Sequence, residues 1–156
     1  MGLFSRSPRV APGMRLSNAA LFQELGRREL RTVLAFLHFR NYLDGEIVFD
    51  AGEEGQALYL IVSGTVAIWL PGREDAPLVE LTANSFFGEL GLLDDWPRSA
   101  QARAKGATEV AVLYRGDFEQ LMTSHAGIAS KISLQLARHL AHRLRQMLQR
   151  AGETVQ

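Results

Sequence analysis

The chain reads as a mainly β protein with flanking α, a jelly-roll-like antiparallel β-roll, and three observations predict this. Between Gly45 and Tyr114, short runs of Val, Ile, Leu and aromatics alternate with Gly, Asn, Asp and Pro. That is the rhythm of short antiparallel strands and turns. Helical apolar periodicity appears before and after this stretch but not within it. The length of 156 residues fits one domain with a core of useful size.

Residues 1–16 carry Arg6, Arg9, Arg15, Pro8 and Pro12 with little to bury, and read as a flexible tail ahead of a single domain over 17–156. From Asn18 to Leu37 the positions Leu21, Phe22, Leu25, Leu30, Val33, Leu34 and Leu37 recur at helical spacing, with Gly26 dividing two short helices. The β-roll spans about 45–115. Its expected strands are Ile47–Phe49, Leu58–Val62, Val66–Leu70, Leu78–Leu81, Ala100–Ala104 and Val110–Tyr114. Ser63-Gly64 suggests a tight hairpin, and Pro71 to Pro77 a longer surface loop. C-terminal helices follow over about 117–150. Asp117 and Gln120 resemble a capping pair, and Gly127 interrupts the first helix. The second runs from about Ile128 to Arg150, with Ile128, Ile132, Leu136, Leu140, Leu144, Met147 and Leu148 as an apolar stripe wide enough to need a partner.

Composition excludes several classes. The formal net charge is zero, so no global field favours nucleic acid. The absence of Cys removes disulfides, thiol nucleophiles and Cys-held metal centres. No apolar run approaches the ~20 residues that cross a bilayer. The first residues are too short for a signal peptide, and Arg6 stands where a myristoylation pattern needs Ser or Thr. The cytoplasm is the expected location. No nucleophile elbow, P-loop or Rossmann glycine pattern occurs, so an enzyme is not expected. None of His38, His125, His139 and His142 falls in an expected strand, as a cupin-type metal site would need. His139 and His142 read as ordinary surface or interface residues, and no metal is expected.

The sharpest chemistry lies between Phe86 and Ala104, in Phe-Phe-Gly-Glu-Leu-Gly-Leu-Leu-Asp-Asp-Trp-Pro-Arg-Ser-Ala-Gln-Ala-Arg-Ala. A small-residue turn precedes a Glu, and Pro97 fixes the backbone before Arg98-Ser99. This grammar suits a small organic phosphate beside a sugar hydroxyl. Helix-terminal amides and a guanidinium fork bind the phosphate, and a carboxylate accepts from the hydroxyl. The plainer reading of the same residues is an ion pair of Arg98 with Glu89 or Asp94.

Phe87-Gly88-Glu89-Leu90 followed by Pro97-Arg98-Ser99-Ala100 closely resembles the phosphate-binding cassette of the cyclic nucleotide-binding domain family. The resemblance extends from about Leu21 to Leu148, through Gly45-Glu46, the Gly52-to-Gly55 turn and Leu58-to-Gly64. Asn84 stands where the family commonly has Gly, and Asn tolerates positive φ. The resemblance implies a non-catalytic module binding cyclic AMP or cyclic GMP, without a further cofactor, through Gly88, Glu89, Leu90, Arg98, Ser99 and Ala100. Gly88 leaves room for the ligand, Glu89 accepts the 2′-hydroxyl proton, and Leu90 opens a short helix. Arg98 meets the phosphate, helped by the Ser99 hydroxyl and the Ala100 amide.

By the same resemblance Ile68 and Leu78 line the base, and the long helix closes over it near Leu140 and Arg143. Arg143 and Leu144 stand where the catabolite activator protein has two hydroxyl residues. Arg143 stacks on either purine, donates to a guanine carbonyl, or lies on a solvated helix face. The long helix is also expected to form a homodimer seam. The chain ends where activator-type transcription factors continue into a DNA-binding domain, so the expectation is a stand-alone sensing module that signals to a protein effector. The rival is a ligand-free dimerisation or docking module that keeps only the β-roll.

Overall fold

Two long strands carry the architecture, and both arise from apolar runs that alternate faces. The computed structural model describes residues 15–154. A 3-10 turn (Ala20–Phe22) and helix α1 (Arg27–Leu34) lead into β1 (His38–Tyr42), β2 (Ile47–Phe49), β3 (Ala57–Trp69), β4 (Val79–Thr82) and β5 (Phe86–Phe87). Helix α2 (Leu90–Leu93), β6 (Gln101–Tyr114), α3 (Arg115–Ser124) and α4 (Ala126–Thr154) complete the order. The strands form one sheet in the order β1-β6-β3-β4, with β2 added to β6 and β5 to β3, and every pairing is antiparallel. This is the expected β-roll with flanking helices.

Period-two alternation in β3 divides the core. Leu58, Leu60 and Val62 pack with Leu113, Phe118, Leu121, Ile128, Ile132 and Leu136 beneath the helices. Ala57 and Ile61 face the other way, into a cluster with Phe49, Val66, Phe87, Ala102, Val110 and Val112. Tyr59 and Tyr114 border that second cluster, and the candidate site lies against it.

Several local expectations change. Ser63-Gly64 is not a hairpin: β3 runs straight through it, absorbing register shifts between Ile61 and Thr65. Gly64 takes φ +89, and a β-carbon there would lie 2.5 Å from the Ala107 carbonyl oxygen, so the position makes an irregularity within a continuous strand. Likewise the two strands expected around Ala100–Ala104 and Val110–Tyr114 are one strand, β6. β1 was not anticipated, and it places His38 on a strand. The Asp117 carboxylate caps nothing, since it sits 3.0 Å from His38 Nε2 and α3 begins at Arg115 without a side-chain cap. The helix break falls at His125, and Gly127 lies inside α4. Asn84 does adopt φ 74.

At the N-terminal end, residues 1–14 of the expected tail lie outside the described residues. Leu16 is fully buried and Arg15 pairs with Glu109, so the packed portion already includes both.

Candidate functional site

Three glycines form the slot that holds Arg98. Gly88 adopts φ +71, a conformation side chains rarely take, and a β-carbon there would lie 2.8 Å from Arg98 Nη1. A β-carbon on Gly91 would lie 2.6 Å from the same nitrogen, and one on Gly55 would overlap the Arg98 Nε. The backbone seats the residue from the other side, with Arg98 N–H donating to Glu53 O at 2.8 Å and Gly52 N–H to Arg98 O at 2.8 Å.

The Arg98 side chain is buried, at 8% exposure. Its Nη1 donates to Gly88 O at 2.8 Å and its Nη2 to Ala57 O at 2.9 Å. The guanidinium carbon lies 4.2 Å from the Phe49 ring centroid. The Nε–H is buried without an acceptor. Burial disfavours the charged form and lowers the pKa from its ordinary value, with Tyr59 and Glu89 opposing that shift. Neither Glu89 nor Asp94 accepts a hydrogen bond from it, so the plain ion-pair reading is not what the fold builds.

Glu89 is also buried, at 4% exposure, and its partners come from the long helix. Arg143 Nη1 donates to Glu89 Oε1 at 2.7 Å, and His139 Nε2 lies 3.5 Å from the same oxygen. The His139 ring packs on Phe86 with centroids 4.5 Å apart. Arg143 therefore touches the carboxylate across 54 residues of sequence, which none of the expectations for it included. His139, read as a surface or interface residue, belongs to the site. Nothing in the local sequence pattern marks either contact.

The remaining expected site residues are placed less deeply. Leu90 opens α2 and is 45% exposed, Ser99 is exposed and Ala100 half-buried. Ile68 and Leu78 are brought together, since Leu78 N–H donates to Ile68 O at 2.7 Å, and Leu78 is half-exposed. Leu140 is half-buried on α4 beside His139. A recess of about 450 Å³ adjoins Arg98, walled by Phe49, Glu53, Gly55, Tyr59 and Tyr114.

The Glu89 environment has a measurable signature. Burial raises its pKa, but the nearby His139 ring, a backbone amide and the Arg143 charge together outweigh it, and the net shift is downward. A carboxylate whose folded pKa is depressed adds stability above its unfolded pKa and loses it as pH falls through the folded value. The parent should therefore lose thermal stability more steeply than Glu89→Gln as pH falls below about 4.5, in melts recorded from about pH 6 to 3. Parallel melting curves for the two proteins over that range would contradict the assignment.

A β-roll with flanking helices, carrying a buried guanidinium and a buried carboxylate beside close-packed glycines, sets the class of fold to which the chain is compared. Residues 39–125 match the cyclic nucleotide-binding domain family, and the chain belongs to that family. It is 35% identical over 127 residues to the cyclic AMP receptor protein of Thermus thermophilus, covering 80% of this chain and 59% of that one. The catabolite activator protein structure from the same organism superposes with a TM-score of 0.77 at 34% identity, covering 85% of this chain and 62% of that one. A cyclic nucleotide-binding domain from Methylobacillus flagellatus shares the fold at a TM-score of 0.80 and 22% identity, covering 88% of this chain and 81% of its own. The chain spans about three-fifths of the length of the curated Thermus relative. The family is one of regulatory domains rather than enzymes. Among the described residues no helix is long and apolar enough to cross a membrane, and no three His, Asp or Glu side chains gather to hold a metal ion.

Proposed function

We propose that the chain is a cytoplasmic cyclic nucleotide-sensing module, with cyclic AMP or cyclic GMP phosphate on Arg98 and ribose on Glu89. One observation carries this reading. Arg98 is buried against Phe49 with no carboxylate hydrogen-bonded to it and an Nε–H left without an acceptor. Removing a guanidinium from water costs several kcal/mol, and neutral carbonyls offset only part of that. A phosphate oxygen would supply both the missing charge and the missing acceptor. The cyclic AMP receptor named among the relatives supports the same ligand class.

Binding then acts on α4. Glu89 Oε1 is held by Arg143 and His139, and a ribose hydroxyl competes for that oxygen. The helix carrying those two residues must shift or share, and a protein effector reads the change. The switch works only because the ligand has different affinity for the two arrangements. At a hundredfold excess over its dissociation constant the ligand adds about 2.7 kcal/mol, a rise of about 5–10 °C in the melting midpoint for a domain of this size. A thermal-shift series with cyclic AMP and cyclic GMP on the parent tests this. No shift with either, together with no binding heat by calorimetry, overturns the reading and leaves the ligand-free docking module.

The long helix also supports a homodimer. Its expected single stripe divides between two faces, with Ile128, Ile132 and Leu136 buried on the roll. Leu134, Ala137, Ala141, Leu144, Leu148 and Ala151 recur at alternating three- and four-residue steps, the spacing of a coiled-coil seam. Leu134, Leu144 and Leu148 are 49%, 56% and 63% exposed. Sedimentation velocity should show a dimer for the parent and a monomer for Leu144→Glu/Leu148→Glu. A monomeric parent removes the seam.

A further inference from the structure

One arginine outside the phosphate and ribose positions grips the cassette from behind. We infer that Arg115 is a positioning residue that fixes α2, and through it the slot around Arg98, to the head of α3. The inference rests on the nucleotide-binding reading above.

Arg115 is the first residue of α3, and its side chain is only 17% exposed. Its Nη2 donates to Gly91 O at 2.8 Å and also to Asp94 O, while Nη1 donates to Asp95 Oδ1 at 2.6 Å. Its own backbone N–H donates to Gln56 O at 2.8 Å. One guanidinium thus spans the end of α2 and the residues just after it, while its backbone bonds to the loop before β3.

The need for such a clamp follows from how short α2 is. Its four residues cannot satisfy their own terminal carbonyls, because the last four carbonyls of any helix lack intrahelical partners. Past its end Asp94 N–H returns to Leu90 O at 3.0 Å. Arg115 supplies the donors that the helix lacks.

Gly91 links the clamp to the site. Its carbonyl is held by Arg115, while its α-carbon face abuts Arg98 Nη1 and Gly55 O, so closely that a β-carbon would not fit. If the α2 end moves, the wall confining Arg98 moves with it. Tyr114, immediately before Arg115, lines the recess beside Arg98. Arg115 also begins the segment that leads to α4, so it joins the cassette to the chain that delivers Arg143 and His139 to Glu89.

The test compares Arg115→Gln, Arg115→Lys and Asp95→Asn with the parent by amide hydrogen exchange and by cyclic AMP and cyclic GMP titration. Losing this group of charge-assisted bonds should speed exchange of the Leu92 and Asp94 amides about tenfold or more in Arg115→Gln, while β3 and β6 amides keep parent rates. Cyclic nucleotide affinity should fall about tenfold, with Arg115→Lys recovering part of both effects because it keeps charge but not the fork. Asp95 is 88% exposed, so Asp95→Asn keeps the fold and should show a smaller change in the same direction.

Parent exchange rates in the cassette of Arg115→Gln overturn the inference. So does acceleration spread equally over β3 and β6, which marks a general loss of stability. Faster cassette exchange with parent affinity also overturns it, because the clamp then does not position the site. If the parent takes neither nucleotide, the binding reading falls, and the exchange data alone decide whether Arg115 holds α2.

Discussion

Arg98→Leu is expected to abolish the thermal response to cyclic nucleotide while leaving a folded protein. Two opposing effects set the outcome for the free protein. The substitution leaves Gly88 O and Ala57 O without their donor, at about 1–3 kcal/mol for each buried group left unpaired. It also removes a buried charge whose desolvation is several kcal/mol unfavourable. The terms nearly cancel, so the free protein should lose no more than about 2 kcal/mol. The ligand has no such compensation. Its phosphate would enter a dry slot without a cation, and affinity should fall at least about a hundredfold, roughly 2.7 kcal/mol. Arg98→Lys keeps the charge but loses the fork that spans Gly88 O and Ala57 O, and should bind between the two. A leucine variant that melts as the parent does and still shows the full ligand shift would falsify the phosphate assignment.

Gly91→Ala is expected to destabilise the domain by about 1–3 kcal/mol and weaken ligand binding together, because a small-to-large change in a packed slot forces backbone movement. The added carbon would lie 2.5 Å from Gly55 O, 2.6 Å from Arg98 Nη1 and 3.0 Å from its Cζ. A flexible side chain could retreat from such a contact, but Gly55 O is backbone. The α2 segment must therefore separate from the loop before β3. For a domain of this size the midpoint should fall by about 3–10 °C. Gly127→Ala is the matched control, since nothing lies within 4 Å of a β-carbon there and the residue is helical. It should raise stability by about 0.5–1 kcal/mol. Equal melting temperatures for the Gly91→Ala variant and the parent would remove the tight-slot account.

What could be read from the chain divides along the range of the interactions. Local preferences act on near neighbours, so Ile47–Phe49, the Asn84 turn and the long C-terminal helix were visible in residue order. Ser63-Gly64 misled because a glycine with positive φ serves a turn or an irregular strand equally well. Only pairing with β6 decides between them. β1, His-Phe-Arg-Asn-Tyr, has almost no buried face of its own, and its strand state comes from partners on β6 far along the chain.

The site shows the same division. Glu89 and Arg98 were legible as a spaced motif, and so was Gly88. Gly55 was visible only as the end of a turn, and Gly91 not at all, because both matter through the Arg98 side chain packed against them. Arg143, His139 and Arg115 reach their partners across long separations. The apolar pattern of the long helix mixed residues from two faces, and only the packing of Ile128, Ile132 and Leu136 against the roll separated them.

Among the described residues the last buried side chain on α4 is Leu136, and the helix continues to Thr154. From Leu140 to that end it covers about 21 Å at 1.5 Å per residue. Under the proposed switch the distal half serves as a lever arm with its fulcrum at the Glu89 contact. A pivot of about 10° there would sweep its tip through about 4 Å, roughly the thickness of one side-chain layer. A chemical event the size of one hydroxyl group could thereby be amplified into a displacement large enough for another molecule to register.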